Sequence, residues 1–350
     1  MLKLRRIGST EIKPFPVWPP LPPKRQRADI DLIKLLNTPS NLIFQKLEES
    51  RAHPEEFDKK VMLLLACIYA HFFGYQDAPD ISSIEEGHAH IIRVKQILED
   101  EMVTHIFEFK PPDTSSFDYD QYQVADYFEE LSLENHGVKH PFFDYIEHEM
   151  NAEQMKNFLF LEVIRNEIVD DEVAMLIPGL QHSMKQVVAS NLWDECGNGR
   201  IDNFHTMWLV QLLSYQDQWD DFIKYREKRP WQSMYSSHSF CSLLTTPGRN
   251  YAAYGSFLIS ESWVAIHFDK ILKGMDRLGI KDRARRIYFE NHYKIDQHHR
   301  LELIEGLRQQ TPVLSQKQLR DMLLGAHQAI VANKKMYDAL LFHFSEKKAH

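Results

Sequence analysis

Apolar residues recur at helical spacing along most of the chain, and few stretches alternate with the period of two that half-buried strands show. The helical pattern begins at Asp29 and continues almost to the end of the sequence. The pattern therefore predicts an all-α fold, a bundle of helices. The predicted helical segments are residues 29–50, 56–75, 82–107, 119–135, 151–177, 180–194, 203–226, 252–278, 281–307 and 315–346.

Helix-end signals support several of these segments. Asn151 and Gln154 have the residue types and the spacing of a capping box, in which two side chains satisfy backbone N–H groups at the start of a helix. Glycine readily adopts the left-handed conformation that is common just after a helix. Four glycines stand where predicted helices should end: Gly137, Gly179, Gly279 and Gly306.

Two proline-containing stretches divide the sequence. Residues 1–28 are rich in prolines and basic residues, which predicts an extended arm with little regular structure. A second stretch, around 108–117, combines two adjacent prolines with a Thr-Ser-Ser run and is the best candidate for a junction. We expect an N-terminal helical extension over 29–115 and the main helical domain over 116–350.

Charge and composition narrow the class of partner. The 350-residue chain has 41 basic and 50 acidic side chains, and its net charge of −9 argues against nucleic acid or an anionic membrane as partner. The longest apolar run, Val61 to Phe73, is shorter than the roughly 20 residues of a membrane span. We expect a small-molecule substrate as partner and consider a homodimer possible.

Cysteine usage and the N-terminal stretch bear on the compartment. Cys67, Cys196 and Cys241 are far apart and form no C-x-x-C pair, which is typical of free thiols in a reducing compartment. The first residues carry charges and prolines, and the apolar segment of a secretory signal is absent from them. We therefore expect a cytoplasmic protein.

One predicted helix, 281–307, carries the pattern H-x-x-x-D-x-x-H. At about 100° per residue, His292, Asp296 and His299 fall within roughly 60° of one another around the helix axis, whereas His298 falls outside that sector. Imidazole and carboxylate ligands together suit iron, manganese or zinc. Because the chain contains 18 histidines, a polar, solvated helix face is an equally good reading of this motif alone.

A second candidate group is formed by Glu195 and His205. In an unbroken helix their ten-residue separation would span about 15 Å, too far for both to bind one centre. Gly197 and Gly199 lie between them and are expected to loop or bulge the chain, which would shorten that distance. The alternative is that the glycines merely end a helix and that His205 is a buried structural histidine.

A third candidate is Glu261, a carboxylate among apolar residues on a predicted core helix. A buried unpaired carboxylate is costly, so Glu261 needs a cation, either a basic side chain or a metal ion. His267 lies six residues further on, off the same helix face, and is expected to be structural. Glu162 and Glu167 are possible additional ligands, but a surface or supporting role is the favoured reading for both.

Taken together, these residues resemble the ligand set of the haem-oxygenase-like di-iron oxidases and oxygenases, in order and in spacing. The resemblance extends over about 120–346 and includes the His-Pro-Phe-Phe sequence that begins at His140 and the Asp-Glu-x-Gly-x-Gly sequence that begins at Asp194. It implies a haem-oxygenase-like helical bundle in which three helices hold two iron ions, which react with dioxygen through a peroxo intermediate with an external reductant. The implied metal ligands are Glu195, His205, Glu261, His292, Asp296 and His299.

The reaction type is left open by these ligands. The resemblance implies either N-oxygenation of a small amine or amino-acid-derived substrate, which we favour, or desaturation or cleavage of a fatty or amino acid. Two further classes stay open: a cofactor-independent, thiaminase-like hydrolase using Cys196 beside Glu195, and a non-enzymatic metal-binding bundle. An electron donor is a possible partner of the oxygenase.

Two sets of residues are weaker candidates for the substrate site. Arg283, Arg285 and Arg286 precede His292 and could bind a substrate carboxylate, although an exposed basic helix end is the favoured reading. Aromatic residues could line a cavity near the metals, although most are expected to be core. These aromatic residues are Phe158, Phe160, Trp193, Phe204, Trp208 and Phe257.

Overall fold

The computed structural model describes Leu36 and residues 40–74, 85–113 and 120–346. For residues 40, 41, 85–88, 217 and 294–297 it describes the backbone alone. Helices dominate the described residues, and no strand occurs among them. The predicted all-α fold is confirmed.

The α-helices are numbered in chain order. They are α1 (Ser40–Ser50), α2 (Pro54–Phe72), α3 (Glu85–Glu101), α4 (Gln121–Leu131), α5 (Pro141–His148), α6 (Ala152–Asn166), α7 (Val169–Leu176), α8 (His182–Glu195), α9 (His205–Ser214), α10 (Trp219–Lys228), α11 (Tyr235–Leu244), α12 (Asn250–Arg277), α13 (Arg283–Arg308) and α14 (Gln316–Glu346). A π-helical turn, Met102–Ile106, continues α3.

Most predicted segments correspond to a helix, and the differences have local causes. The capping box at the start of α6 is present, with both Asn151 and Gln154 bonded to the other's backbone N–H. Segment 203–226 is broken into α9 and α10 near Gln216, whose φ of 56° is left-handed. Segment 151–177 is likewise divided, into α6 and α7. Gly306 lies inside α13 rather than at its end, because its missing side chain leaves room for Val187.

Two helices were not predicted. The helix α5 begins at Pro141, which follows His140, whose Nδ1 accepts a hydrogen bond from the N–H of Phe142. The helix α11 buries serine, histidine and cysteine together with its apolar residues. Because polar and apolar side chains of α11 are buried alike, its sequence lacks the amphipathic alternation that reveals a helix.

The long helix α12 is the centre of the bundle and packs against α5, α13 and α14. Helices α12 and α14 touch backbone to backbone at two glycines. A Cβ added at Gly255 would lie 2.0 Å from the carbonyl oxygen of Met322, and one added at Gly325 would lie 1.8 Å from that of Ala252. Real Cβ contacts under 3.0 Å essentially never occur, so only glycine permits this helix spacing.

Buried side chains of α1, α2 and α3 belong to the same hydrophobic cluster as those of α5, α6 and the C-terminal half of α14. A second cluster joins α4, α7, α8, α12 and α13. The predicted arm at 1–28 and the predicted boundary near 115 lie outside the described residues, and the division into three parts stays a prediction. None of the helices in the described part of the chain has the length and apolarity of a membrane span.

Candidate metal centre

The first part of the site is built by the break between α8 and α9. Glu195 is the last residue of α8 and His205 the first of α9, and two 3₁₀ turns connect them. Gly197 has a φ of +58°, and a Cβ there would lie 2.5 Å from the backbone carbonyl carbon of Asn203. The loop can therefore fold back on itself only with glycine at this position. The predicted shortening of the Glu195–His205 distance is confirmed.

Three buried side chains converge at this break. Oε2 of Glu195 lies 2.7 Å from Nδ1 of His205. His292 of α13 joins them, so that one potential ligand atom from each residue lies within 4.8 Å of the other two. The relative exposures of Glu195, His205 and His292 are 7%, 2% and 5%, so bulk water scarcely reaches the group.

The hydrogen bonding of this group is incomplete. Oε2 of Glu195 and Nδ1 of His205 are buried, and neither has a hydrogen-bond partner, because their close approach does not have the alignment of a hydrogen bond. Nδ1 of His292 donates to the carbonyl oxygen of Tyr288 at 2.7 Å, which leaves Nε2 as the lone-pair nitrogen. Orphaned buried polar atoms are costly, and a cation bound between them would satisfy both.

The electrostatics of the group suit a metal ion. Burial lowers the pKa of His205 to about 4 and that of His292 to about 3, so both imidazoles are neutral at pH 7. Neutral imidazole is the form that binds metals. Burial also raises the pKa of Glu195, as expected for a carboxylate without a bound cation. One carboxylate and two imidazoles suit non-haem iron, and the residues present therefore fit this ion.

A second pair of predicted ligands lies beside the first group. Nδ1 of His299 is 3.4 Å from Oε2 of Glu261, and its Nε2 is 3.1 Å from Oδ2 of Asp194. His299 follows His292 by about two turns on the same helix, α13, so the two groups are neighbours. The side chain of Asp296 lies outside the described part of the structure, and its predicted role as a ligand stays a prediction.

A cavity of about 250 Å³ adjoins these residues. Its wall includes Glu195, Glu261 and His292, so both groups of candidate ligands face the same space. The predicted aromatic lining is found in part. Phe158 and Phe257 line the cavity, whereas Trp208 stacks on the ring of His205 and Trp193 is 55% exposed.

The sequence of this region has recognisable relatives. A family model described as "Iron-containing redox enzyme", of the haem-oxygenase type, matches residues 156–334, just over half of the chain. The chain belongs to this family of haem-oxygenase-like, iron-containing redox enzymes. No curated protein matches the sequence significantly. The matched range contains Glu195, His205, Glu261, His292, Asp296 and His299.

Membership of this family indicates an iron-dependent oxidoreductase. Among iron, manganese and zinc, which the candidate ligands all suit, it therefore favours iron. Other histidines of this iron-containing redox enzyme have different roles. His298 is exposed, as its position on the helix predicted. The ring of His267 stacks on Phe143, and its Nε2 lies 2.7 Å from the carbonyl oxygen of Gly137, which confirms the expected structural role.

Arg283, Arg285 and Arg286 form a basic helix end, the favoured prediction for them, and do not face the cavity. Arg285 pairs with Asp282, Arg286 pairs with Asp276 and Glu290, and Arg283 is exposed. None of the three lines the cavity. The sequence reading missed three arginines that do line it, which are Arg165, Arg226 and Arg229.

Glu167 and Glu162 both line the cavity. Glu167 forms an ion pair with Arg226, which agrees with the supporting role expected for it. Asp194 was not among the predicted site residues. Its contact with His299, 105 positions away, could not be predicted from the local sequence.

Proposed function

We propose that this iron-containing redox enzyme is a non-haem di-iron oxygenase that oxidises a small molecule in the adjoining cavity. The observation that carries the proposal is the unpartnered, buried pair Glu195 and His205 beside His292, at the wall of that cavity. Glu261 and His299 offer further ligand atoms next to them. The proposed ligands of the two ions are Glu195, His205, Glu261, His292, Asp296 and His299.

When bound, the iron ions would supply the binding site for dioxygen and the electrons that activate it. An external reductant would return the ions to the Fe(II) state. The protein's own contribution is orientation and exclusion of water. The carbonyl of Tyr288 holds the ring of His292, and the carboxylate of Asp194 holds that of His299. Such outer partners fix which nitrogen of a histidine is available. Buried rings, including those of Trp208 and Phe268, surround His205 and His292 and limit the access of bulk water.

For the reaction we propose N-oxygenation of a small amine or amino-acid-derived substrate, with C–H desaturation or cleavage as the alternative. The wall of the cavity includes the polar residues Glu162, Asn166 and Ser237. A long-chain fatty acid would not require these groups over most of its length. The small volume of about 250 Å³ also favours a small substrate.

The hydrolase alternative receives little support from the surroundings of Cys196. Burial, together with Asp170 and Glu195, raises the pKa of the Cys196 thiol, whereas a nucleophilic cysteine needs a lowered pKa. Cys196 is also not among the residues that line the cavity. A non-enzymatic binding bundle would take up iron without consuming dioxygen, so oxygen consumption separates it from the proposed oxygenase.

The test is an anaerobic titration of the full chain with Fe(II), followed by exposure to dioxygen while absorbance is recorded. We expect two ions per chain and an oxygen-dependent absorbance change. Substitution of Glu195, His205 or His299 by alanine should lower the iron content. His298→Ala is the matched control, because it removes an exposed histidine from the same helix. Uptake of two ions by His205→Ala and His299→Ala, with unchanged reaction, would contradict the ligand assignment.

The reaction type is tested separately with a panel of amines, amino acids and fatty acids, incubated with Fe(II), dioxygen and a reductant. Mass spectrometry then reads a gain of oxygen on nitrogen or a loss of two hydrogens. If fatty acids become alkenes and no amine gains oxygen, the N-oxygenase proposal is wrong. The di-iron proposal would stand in that case.

A further inference from the structure

Three arginines line the same cavity as Glu195, Glu261 and His292. They are Arg165, near the end of α6, and Arg226 and Arg229, around the end of α10, and we call their part of the cavity the basic end. Arginine is rarely buried unless a carboxylate or another acceptor accompanies it, because desolvating its charge is costly. The partners of the three guanidinium groups therefore show whether each positive charge in this part of the cavity is matched by a carboxylate.

Two of the arginines have carboxylate partners. Nη1 of Arg165 lies 3.0 Å from Oε2 of Glu172, which is fully buried. Arg226 donates through Nη2 to Oε1 of Glu167. This second pair uses one donor only, and Nε and Nη1 of Arg226 are buried without a hydrogen-bond partner. Arg226 is 8% exposed, so water is a poor substitute for the missing acceptors.

The third arginine has no carboxylate partner within the described residues. Nη1 of Arg229 donates to the backbone carbonyl oxygen of Arg226 at 2.7 Å, and its Nε is buried without a hydrogen-bond partner. The hydroxyl of Tyr225, next to Arg226 in the sequence, is also buried without a hydrogen-bond partner. Three neighbouring residues thus present unused donors.

The charges at this end do not balance. Burial, followed by the positive charge of Arg226, lowers the pKa of Arg229 to about 10, as expected for a cation without its own anion. Burial raises the pKa of Glu162, beside Arg165, to about 7, so this carboxyl is about half protonated at neutral pH. With Glu167 and Glu172 each matched to one arginine, a positive excess remains at Arg229.

We propose that Arg229 and Arg226 form an anion subsite that binds the carboxylate of a small substrate. The inference rests on the proposed function, because it places the reacting part of that substrate at the other end of the same cavity, beside His292 and Glu261. Guanidinium groups recognise carboxylates through paired N–H donors, and free donors of this kind are what Arg226 and Arg229 offer.

The rest of the cavity wall indicates what the remainder of the substrate is like. Phe158, Leu161, Phe268 and Met336 line the cavity and offer apolar contacts. Arg226 and Arg229 line the same cavity of about 250 Å³ as His292 and Glu261, so one small molecule can reach both groups. The proposed substrate is therefore a short monocarboxylate with an apolar middle, such as an amino acid or a short-chain acid.

Binding can be measured without turnover. Calorimetry on the full chain, both after chelator treatment and loaded anaerobically with Fe(II), would compare hexanoate and 6-aminohexanoate with hexanamide, hexylamine and inorganic phosphate. We expect the carboxylates to bind in both states, and the amide and the amine to bind about tenfold more weakly or worse. Failure of every carboxylate to bind, equal binding of the amide, or preferential binding of phosphate overturns the proposal.

Variants locate the carboxylate. Arg229→Gln should weaken carboxylate binding about ten- to a hundredfold and leave hexanamide binding unchanged, and Arg229→Lys should retain part of the affinity. Arg320→Gln, which changes an exposed arginine of α14, is the control. Because Arg229→Gln removes a partly buried cation that has no carboxylate partner within the described residues, the free energy of unfolding of the variant should be equal to or above that of the parent, whereas a merely structural arginine would lose stability.

The two proposals fail in different ways. Carboxylate binding that is lost in the chelator-treated chain and insensitive to Arg229→Gln would place the anion on the metal and overturn the subsite. Carboxylate binding that depends on Arg229 in a chain that takes up no iron would support the subsite and contradict the proposed oxygenase.

Discussion

His299 Nε2 donates a hydrogen bond to Oδ2 of Asp194 at 3.1 Å, while its Nδ1 faces Oε2 of Glu261 at 3.4 Å. Because Asp194 engages Nε2, Nδ1 of His299 is the nitrogen that faces Glu261 and that would bind a cation placed between the two side chains. The other oxygen of Asp194 accepts a hydrogen bond from Asn198 at 2.8 Å, which connects this carboxylate to the loop after α8. The loop that brings Glu195 to His205 therefore also orients His299.

Replacing Asp194 by asparagine should weaken iron binding at the Glu261–His299 pair by about ten- to a hundredfold, because a neutral amide is a weaker hydrogen-bond acceptor and does not raise the basicity of His299 as a carboxylate does. The measurement is an anaerobic Fe(II) titration that resolves two binding steps. Asp202→Asn is the matched control, since Asp202 is an exposed aspartate of the same loop. Identical titration curves for Asp194→Asn and the parent would show that Asp194 has no such role.

Gly197→Ala should lower both the free energy of unfolding and the iron content. Its left-handed φ costs a non-glycine residue about 1–2 kcal/mol, and the added Cβ would also collide with the backbone at Asn203. Gly248→Ala separates the two effects, because Gly248 also has a positive φ but nothing within 4 Å of an added Cβ. Urea unfolding should therefore show a larger loss for Gly197→Ala. Equal losses, with iron binding retained, would contradict the role of the loop.

Acid should destabilise the metal-free chain from about pH 6.5 downwards. Burial lowers the pKa values of His238, His267 and His292 to about 3 each, below the roughly 6.5 of an unfolded histidine. As pH falls, the unfolded chain takes up these protons first, so the stability present above pH 6.5 is lost towards pH 3. Each group contributes up to about 1.4 kcal/mol per pH unit.

The contribution of one histidine can be isolated with His238→Phe, which keeps a ring against Tyr69 and removes the titrating group. Urea unfolding of chelator-treated protein between pH 4 and pH 7 should show a shallower loss of stability than in the parent. His298→Phe, at an exposed position, should retain the parental slope. An unchanged slope in His238→Phe would refute the assignment.

Fe(II) should slow amide hydrogen exchange in α13. His292 and His299 both lie on this helix, and a cation that binds them together with Glu195 and Glu261 adds its binding free energy to every opening that separates these residues. Hydrogen exchange with and without Fe(II) under anaerobic conditions measures the effect, and α2 serves as an internal reference. Equal protection of α13 in the two states would speak against metal binding by this helix.

The helical fold was predictable because apolar periodicity survives in every amphipathic segment. The candidate site was partly predictable for the same reason, since regular helix geometry turns the spacing of His292 and His299 into a shared face. The proximity of Glu195 and His205 could be predicted only with a second observation, Gly197, which indicated a break in the helix between them. The complete set of six ligands stays a prediction.

The basic end of the cavity could not be predicted from the sequence pattern. Arg226 and Arg229 stand near Lys228, at the end of α10, where basic residues are common because they complement the helix dipole. Only the packing of α6 and α10 around the cavity reveals that their donors lack acceptors. Burial, unlike periodicity, is a property of the whole fold and is not visible in a short stretch of sequence.

The glycine contacts between α12 and α14 also bear on the candidate metal centre. Glu261 lies six residues beyond Gly255 on α12, about 9 Å along the axis. A methyl group at Gly255 or Gly325 would collide with the backbone of the facing helix, so α12 would have to shift relative to α14 and carry Glu261 with it. Two glycines thereby help to fix the position of a candidate ligand that lies about two helical turns away.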